Sequence, residues 1–169
     1  MSRTDRFRIS LVFITAATAI GTAVLAWAPA AKAEDAARGR AIWEKAECPL
    51  CHGWSGDGFG AAEHTAPSLR VKHLTRAEIR EIIQCGRPGT EMPYFDRFAY
   101  TNKRCYNTTG KELSNQMPDR SRVTLQLYEI DPLADYVAAT IMGAGAVTRA
   151  ECLAFFGGTG SQCDNYPER

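Results

Sequence analysis

The stretch Glu47-Cys48-Pro49-Leu50-Cys51-His52 constrains the fold more than any other part of the chain. Two thiols stand at i and i+3, and an imidazole follows at once. On a helical turn the two thiols share one side. Three chemistries use such a pattern: a metal knuckle, a redox dithiol and a covalent anchor for haem. A zinc knuckle needs a second ligand pair. No second Cys-x-x-Cys or His-x-x-x-His follows, and His64 and His73 stand alone. A thioredoxin-like dithiol sits in a βαβ unit, and the sequence shows no such alternation.

The compartment narrows the choice. Arg3, Arg6 and Arg8 precede an uncharged run from Ile9 to Ala31. Ala31-Lys32-Ala33, with Pro29 just upstream, has the small-x-small pattern of a signal-peptidase site. Residues 1–33 therefore read as an export signal, cleaved to leave Glu34 first, and the mature chain is expected in the periplasm. The competing reading is an uncleaved anchor, because the run is long enough to span a bilayer. Only in that case is a membrane a partner. The segment holds Arg3, Arg6, Arg8 and Lys32 against Asp5, so its removal turns a chain of net charge +1 into one of −2. No basic stripe exists to neutralise phosphates, which excludes a nucleic-acid partner.

In an exported chain, Cys-x-x-Cys-His is the attachment signature of c-type haem. The two thiols add to the two vinyl groups on one porphyrin edge, and the adjacent histidine is forced under the ring. Cys48, Cys51 and His52 are thus expected to hold one covalent haem c, with His52 as an iron ligand.

A second ligand is sought downstream. Gly86-Arg87-Pro88-Gly89-Thr90-Glu91-Met92-Pro93-Tyr94 follows a predicted helix. Here the chain resembles the class I c-type cytochromes, small mono-haem electron carriers whose second ligand lies in a loop ending in Met-Pro. The resemblance implies an all-α, cytochrome c-like domain around one covalent haem, with Met92 as the distal thioether. Met117, in Asn115-Gln116-Met117-Pro118, is a rival, and Met142 reads as a packing residue. Ala66-Pro67-Ser68-Leu69 is similar to the family's Pro-x-Leu element. It implies that the Pro67 carbonyl accepts from the free His52 nitrogen; an ordinary loop proline is the other reading.

The remaining pattern is helical. Gly39, Ile42, Trp43 and Ala46 mark a helix over 35–47. Thr75 and Glu78 form a capping box for a helix ending at Cys85-Gly86. Asp131 as N-cap and Pro132 at N1 predict the last core helix, with Leu133, Tyr136, Val137, Thr140 and Ile141 inward. By the resemblance, Gly39 and Trp43 meet Tyr136 and Val137. Thr148 and Glu151 predict a capping box for a short helix ending at Gly157-Gly158. Residues 94–128, with the Tyr106-Asn107-Thr108-Thr109-Gly110 turn, read as an insertion before the last core helix. The division is signal 1–33, domain 34–145 and C-terminal extension 146–169.

Four cysteines remain. Loop closure favours the near pairs, Cys85–Cys105 and Cys152–Cys163. The first would enclose Met92 and clamp its loop. The second would staple the extension.

The resemblance implies an electron carrier, not an enzyme. It would serve periplasmic redox proteins: a donor dehydrogenase and an acceptor cytochrome or terminal oxidase. The insertion and the cysteine-bearing tail resemble cytochromes that serve quinoprotein alcohol dehydrogenases. Two other classes stay open, a haem-based sensor or ligand binder with a labile distal site, and a haem subunit of a larger oxidoreductase complex.

Overall fold

The computed structural model describes residues 28–60, 66–158 and 160–168. Among them the fold is all-helical, and β pairing is limited to the isolated bridges Tyr94–Arg120 and Cys105–Thr108. Residues 1–27, which carry most of the expected export signal, and 61–65, with His64, lie outside the described residues. No described helix is long and apolar enough to cross a membrane.

Helix α1 spans Ala28–Lys45 and α2 spans Pro49–His52. The upstream start of α1, before the expected Asp35, follows from an alanine-rich sequence with high helix propensity. Helix α3, Arg76–Cys85, opens on the expected capping box: Thr75 accepts from the Glu78 N–H, and Glu78 accepts from the Thr75 N–H. Gly86 ends it with φ 65. Helix α4, Gly110–Leu113, is a short element of the insertion with its own Thr109–Glu112 box, which the sequence reading missed.

The last core helix differs from expectation. Helix α5 spans Leu127–Tyr136, so Pro132 lies inside it. Two facts displace the expected Asp131 cap. The Asp131 carboxylate is engaged by Arg80 at 2.9 Å and by Arg76 at 2.9 Å. Glu129 accepts from the Gln126 N–H at 2.9 Å, and the helix is capped at Gln126, five residues earlier. An interior proline leaves the carbonyl four residues back without its helical donor. That carbonyl belongs to Tyr128, and Arg38 of α1 donates to it at 3.2 Å. Beyond Tyr136 the helix widens into a π-type turn, Val137–Ile141.

Helix α5 packs on both α1 and α3. The core joins Ile42 and Trp43 of α1 with Ala46 just beyond it, Ile79 and Ile83 of α3, and Ile130, Leu133, Ala134 and Tyr136 of α5. The expected crossing is present. The rings of Trp43 and Tyr136 lie 6.4 Å apart. A Cβ on Gly39 would stand 2.4 Å from the Tyr136 Cβ and 2.5 Å from the Pro132 carbonyl oxygen. The helices touch there through backbone, which only glycine permits.

Both expected disulfides are formed, Cys85–Cys105 and Cys152–Cys163. The extension carries α6, Arg149–Phe156, with the expected capping box and a left-handed Gly157. It folds back onto the domain. Arg70, only 4 % exposed, donates to both Glu151 carboxylate oxygens at 2.8 and 3.0 Å and to the Gly145 and Ala146 carbonyls. Arg40 of α1 donates to the Ala154 and Phe155 carbonyls and lies 4.1 Å over the Phe155 ring.

Two predictions follow from these contacts. Gly39→Ala gains about 1 kcal/mol of helix propensity, but overpacking a fixed backbone contact costs about 1–3 kcal/mol. The expected net result is a lower denaturant midpoint for the intact protein. Burial raises the Glu151 pKa, but Arg70 and the Thr148 N–H outweigh it and hold the carboxylate below its ordinary value. A depressed carboxylate contributes stability above its unfolded pKa and loses it as pH falls through the folded one. Glu151→Gln should cost about 1–2 kcal/mol at neutral pH and flatten the fall in thermal stability of the wild-type protein below about pH 4.5.

Candidate functional site

Helix α1 delivers the chain to the Cys48–His52 turn. The Cys48 N–H still bonds back to the Trp43 carbonyl at 3.2 Å, and Glu47 turns the chain with a left-handed φ of 61. Pro49 opens α2, where its missing N–H costs nothing. The Cys51 and His52 N–H groups both bond to the Cys48 carbonyl, at 3.3 and 3.0 Å. The i and i+3 thiols thus belong to one helical turn, and the imidazole follows directly.

Neither thiol takes part in a disulfide. Burial pushes the Cys48 thiol up to about 12. Among the described residues, no group of three His, Cys, Asp or Glu side chains is placed to hold a metal ion. Burial also lowers His52 to about 4, so its imidazole is neutral with a lone pair to donate. The Trp43 ring packs 6.0 Å from it.

The expected Pro67 bond is not formed. His52 Nδ1 is buried without a hydrogen-bond partner. Pro67 is exposed, and its segment is tied instead through the Ala66 N–H to the Cys51 carbonyl, at 3.0 Å, and the Leu69 N–H to the Gly56 carbonyl, at 2.8 Å.

Met92 is half-buried and packs against the same core cluster as Cys48, Leu69, Leu74 and Val123. Its loop is a closed ring: the Arg87 N–H donates to the Met92 carbonyl at 3.0 Å, and the Met92 N–H donates to Thr90 Oγ1 at 3.2 Å. A Cβ on Gly86 would lie 2.7 Å from the Met92 carbonyl oxygen. The rival Met117 is 36 % exposed and covers Gly110 in the insertion. Met142 packs on the core, as a filling residue would.

Sequence reasoning missed Trp54, two residues beyond His52. Its ring meets Phe155 at 5.0 Å, Phe156 at 5.4 Å and Tyr166 at 5.9 Å. A groove of about 550 Å³ lies between α1 and α6, yet none of Cys48, Cys51, His52 or Met92 lines it. It marks the seam between domain and extension.

Residues 34–107 match the family model described as cytochrome C oxidase, cbb3-type, subunit III. The matched segment contains the Cys48–His52 turn, α3, the Met92 loop and Cys105. This segment is a c-type cytochrome domain. No curated protein and no solved structure matches the chain. A cytochrome c domain implies haem c and electron transfer. The residues fit that group. Two thiols and an imidazole share one turn, burial keeps that imidazole neutral, and a thioether packs on the same cluster as Cys48.

Proposed function

We propose that the chain is an exported one-electron carrier holding one covalent haem c. The observation that supports this most directly is the Cys48–His52 turn inside a cytochrome c domain. Cys48 and Cys51 would hold the haem covalently, and His52 and Met92 would bind its iron. When bound, haem supplies an iron that takes up or releases a single electron. The chain's own residues would then supply both iron ligands. They leave no site for oxygen or substrate, and thioether ligation favours a relatively high potential. The family match begins at Glu34, directly after Ala31-Lys32-Ala33, which supports a cleaved signal and a periplasmic location.

The partners are a periplasmic donor dehydrogenase, of the quinoprotein alcohol dehydrogenase kind, and a downstream cytochrome or terminal oxidase. Docking falls beside the attachment turn, where Leu50 is 46 % and Phe59 83 % exposed. Small interfaces of this kind dissociate quickly. A second reading, a haem subunit of a larger oxidoreductase, is favoured by the family description, which names an oxidase subunit. Stable co-purification of partner subunits would select it over the free carrier.

Two experiments test the carrier reading. Reduced and oxidised spectra should show covalent, thioether-ligated haem. Met92→Ala should abolish that signature and admit carbon monoxide to the reduced protein, while Met117→Ala should leave both unchanged. Fast carbon monoxide binding by the unaltered protein would point to a sensor instead. Leu50→Glu and Phe59→Glu should leave the spectrum intact and slow reduction by the natural donor about tenfold, the effect of one interface hot spot.

A further inference from the structure

The insertion contains an unusual turn. The Thr108 N–H bonds to the Cys105 carbonyl at 3.0 Å, and both central residues are left-handed, Tyr106 with φ 51 and Asn107 with φ 52. Two positive φ values mark a type I′ turn, whose central positions favour asparagine and glycine. A tyrosine there is poorly suited, because its Cβ crowds the following carbonyl. Such a residue persists only when its surroundings fix it, and it raises the question of what the strained side chain does.

Its hydroxyl answers. Tyr106 donates to the Gly86 carbonyl at 2.7 Å. Gly86 is the hinge where α3 ends and the Met92 loop begins. The next residue, Arg87, donates its N–H to the Met92 carbonyl. Tyr106 therefore grips the base of the ring that carries Met92. The turn cannot drift away, because Cys105 beside it is joined to Cys85 beside the hinge. Burial raises the Tyr106 pKa, so the hydroxyl stays protonated and remains the donor.

The far flank is braced as well. The Tyr94 ring, two residues after Met92, meets Tyr100 edge-on at 5.5 Å, and Tyr100 donates to the Cys85 carbonyl at 2.5 Å. The Tyr94 N–H bonds to Asp119, and its carbonyl accepts from Ser121, both at 3.0 Å.

We infer that Tyr106 is a positioning residue for the distal ligand: its strained turn aims a hydroxyl at Gly86 and holds the Met92 loop closed. This rests on the reading of Met92 as an iron ligand.

The test uses the mature holoprotein with two variants. Tyr106→Phe removes the hydroxyl and keeps the strained residue. Tyr106→Asn removes the hydroxyl and relieves the strain. Intact haem and the Cys85–Cys105 disulfide are checked first by mass. Both variants are expected to lose the absorption band of sulfur-ligated ferric iron at lower denaturant than wild type. Both should bind carbon monoxide roughly fivefold faster when reduced, the weight of one ordinary hydrogen bond. Tyr106→Asn should do so with global stability equal to wild type or higher, which a merely structural role would not produce. Wild-type behaviour of the band and of carbon monoxide binding in both variants overturns the inference. A wild-type protein that itself lacks the sulfur band instead overturns the Met92 assignment on which the inference stands.

Discussion

The architecture turns on one constraint: a chain leaving a helix must present two thiols and an imidazole within a single short turn. That turn cannot hold its shape alone, since four residues make too short a helix to be stable in water. It is held because α1 continues into it, with the Cys48 N–H still bonded to Trp43. Helix α1 is in turn fixed by its crossing with α5, where Gly39 lets the two backbones meet. The stability of the Cys48–His52 turn is therefore mostly tertiary. It passes from the crossing, through Trp43, to His52.

The Met92 loop obeys a different logic. It has no helix to inherit order from, and it leaves α3 at a glycine hinge. Its order is imposed from outside by the insertion. A disulfide that closes a loop of this size restricts the unfolded chain by about 3 kcal/mol in the entropic account. Hydrogen bonds and ring contacts from Tyr94, Tyr100 and Tyr106 add local definition. The insertion is thus a built support for the loop that the core alone leaves unsupported.

Most of this architecture was legible in the sequence where a residue pattern has one mechanical meaning. Thr75 and Glu78, or Thr148 and Glu151, have a single good use, and the helices begin where those pairs say. The near-neighbour disulfides were legible because loop closure ranks them. Asp131-Pro132 misled because its pattern has two uses. It serves as a helix start in isolation, but Arg76 and Arg80 approach from α3 and claim the carboxylate, while Arg38 satisfies the carbonyl that Pro132 strands. Those partners are distant in sequence and leave no local trace. Trp54 and Tyr106 were hidden for the same reason: each acts on a partner brought near only by folding. The Pro67 contact was carried over from family resemblance, and here the segment is tied down through Ala66 and Leu69 instead.

The way the tail is attached has a consequence for how the molecule could change over time. Helix α6 is anchored to Arg40, Trp54 and Arg70, and the Cys152–Cys163 bridge closes within the tail, whereas Cys85–Cys105 ties the insertion to α3. The two appendages share no crosslink. The tail is a separately removable module, so a lineage could trim or exchange it without disturbing the support of the Met92 loop.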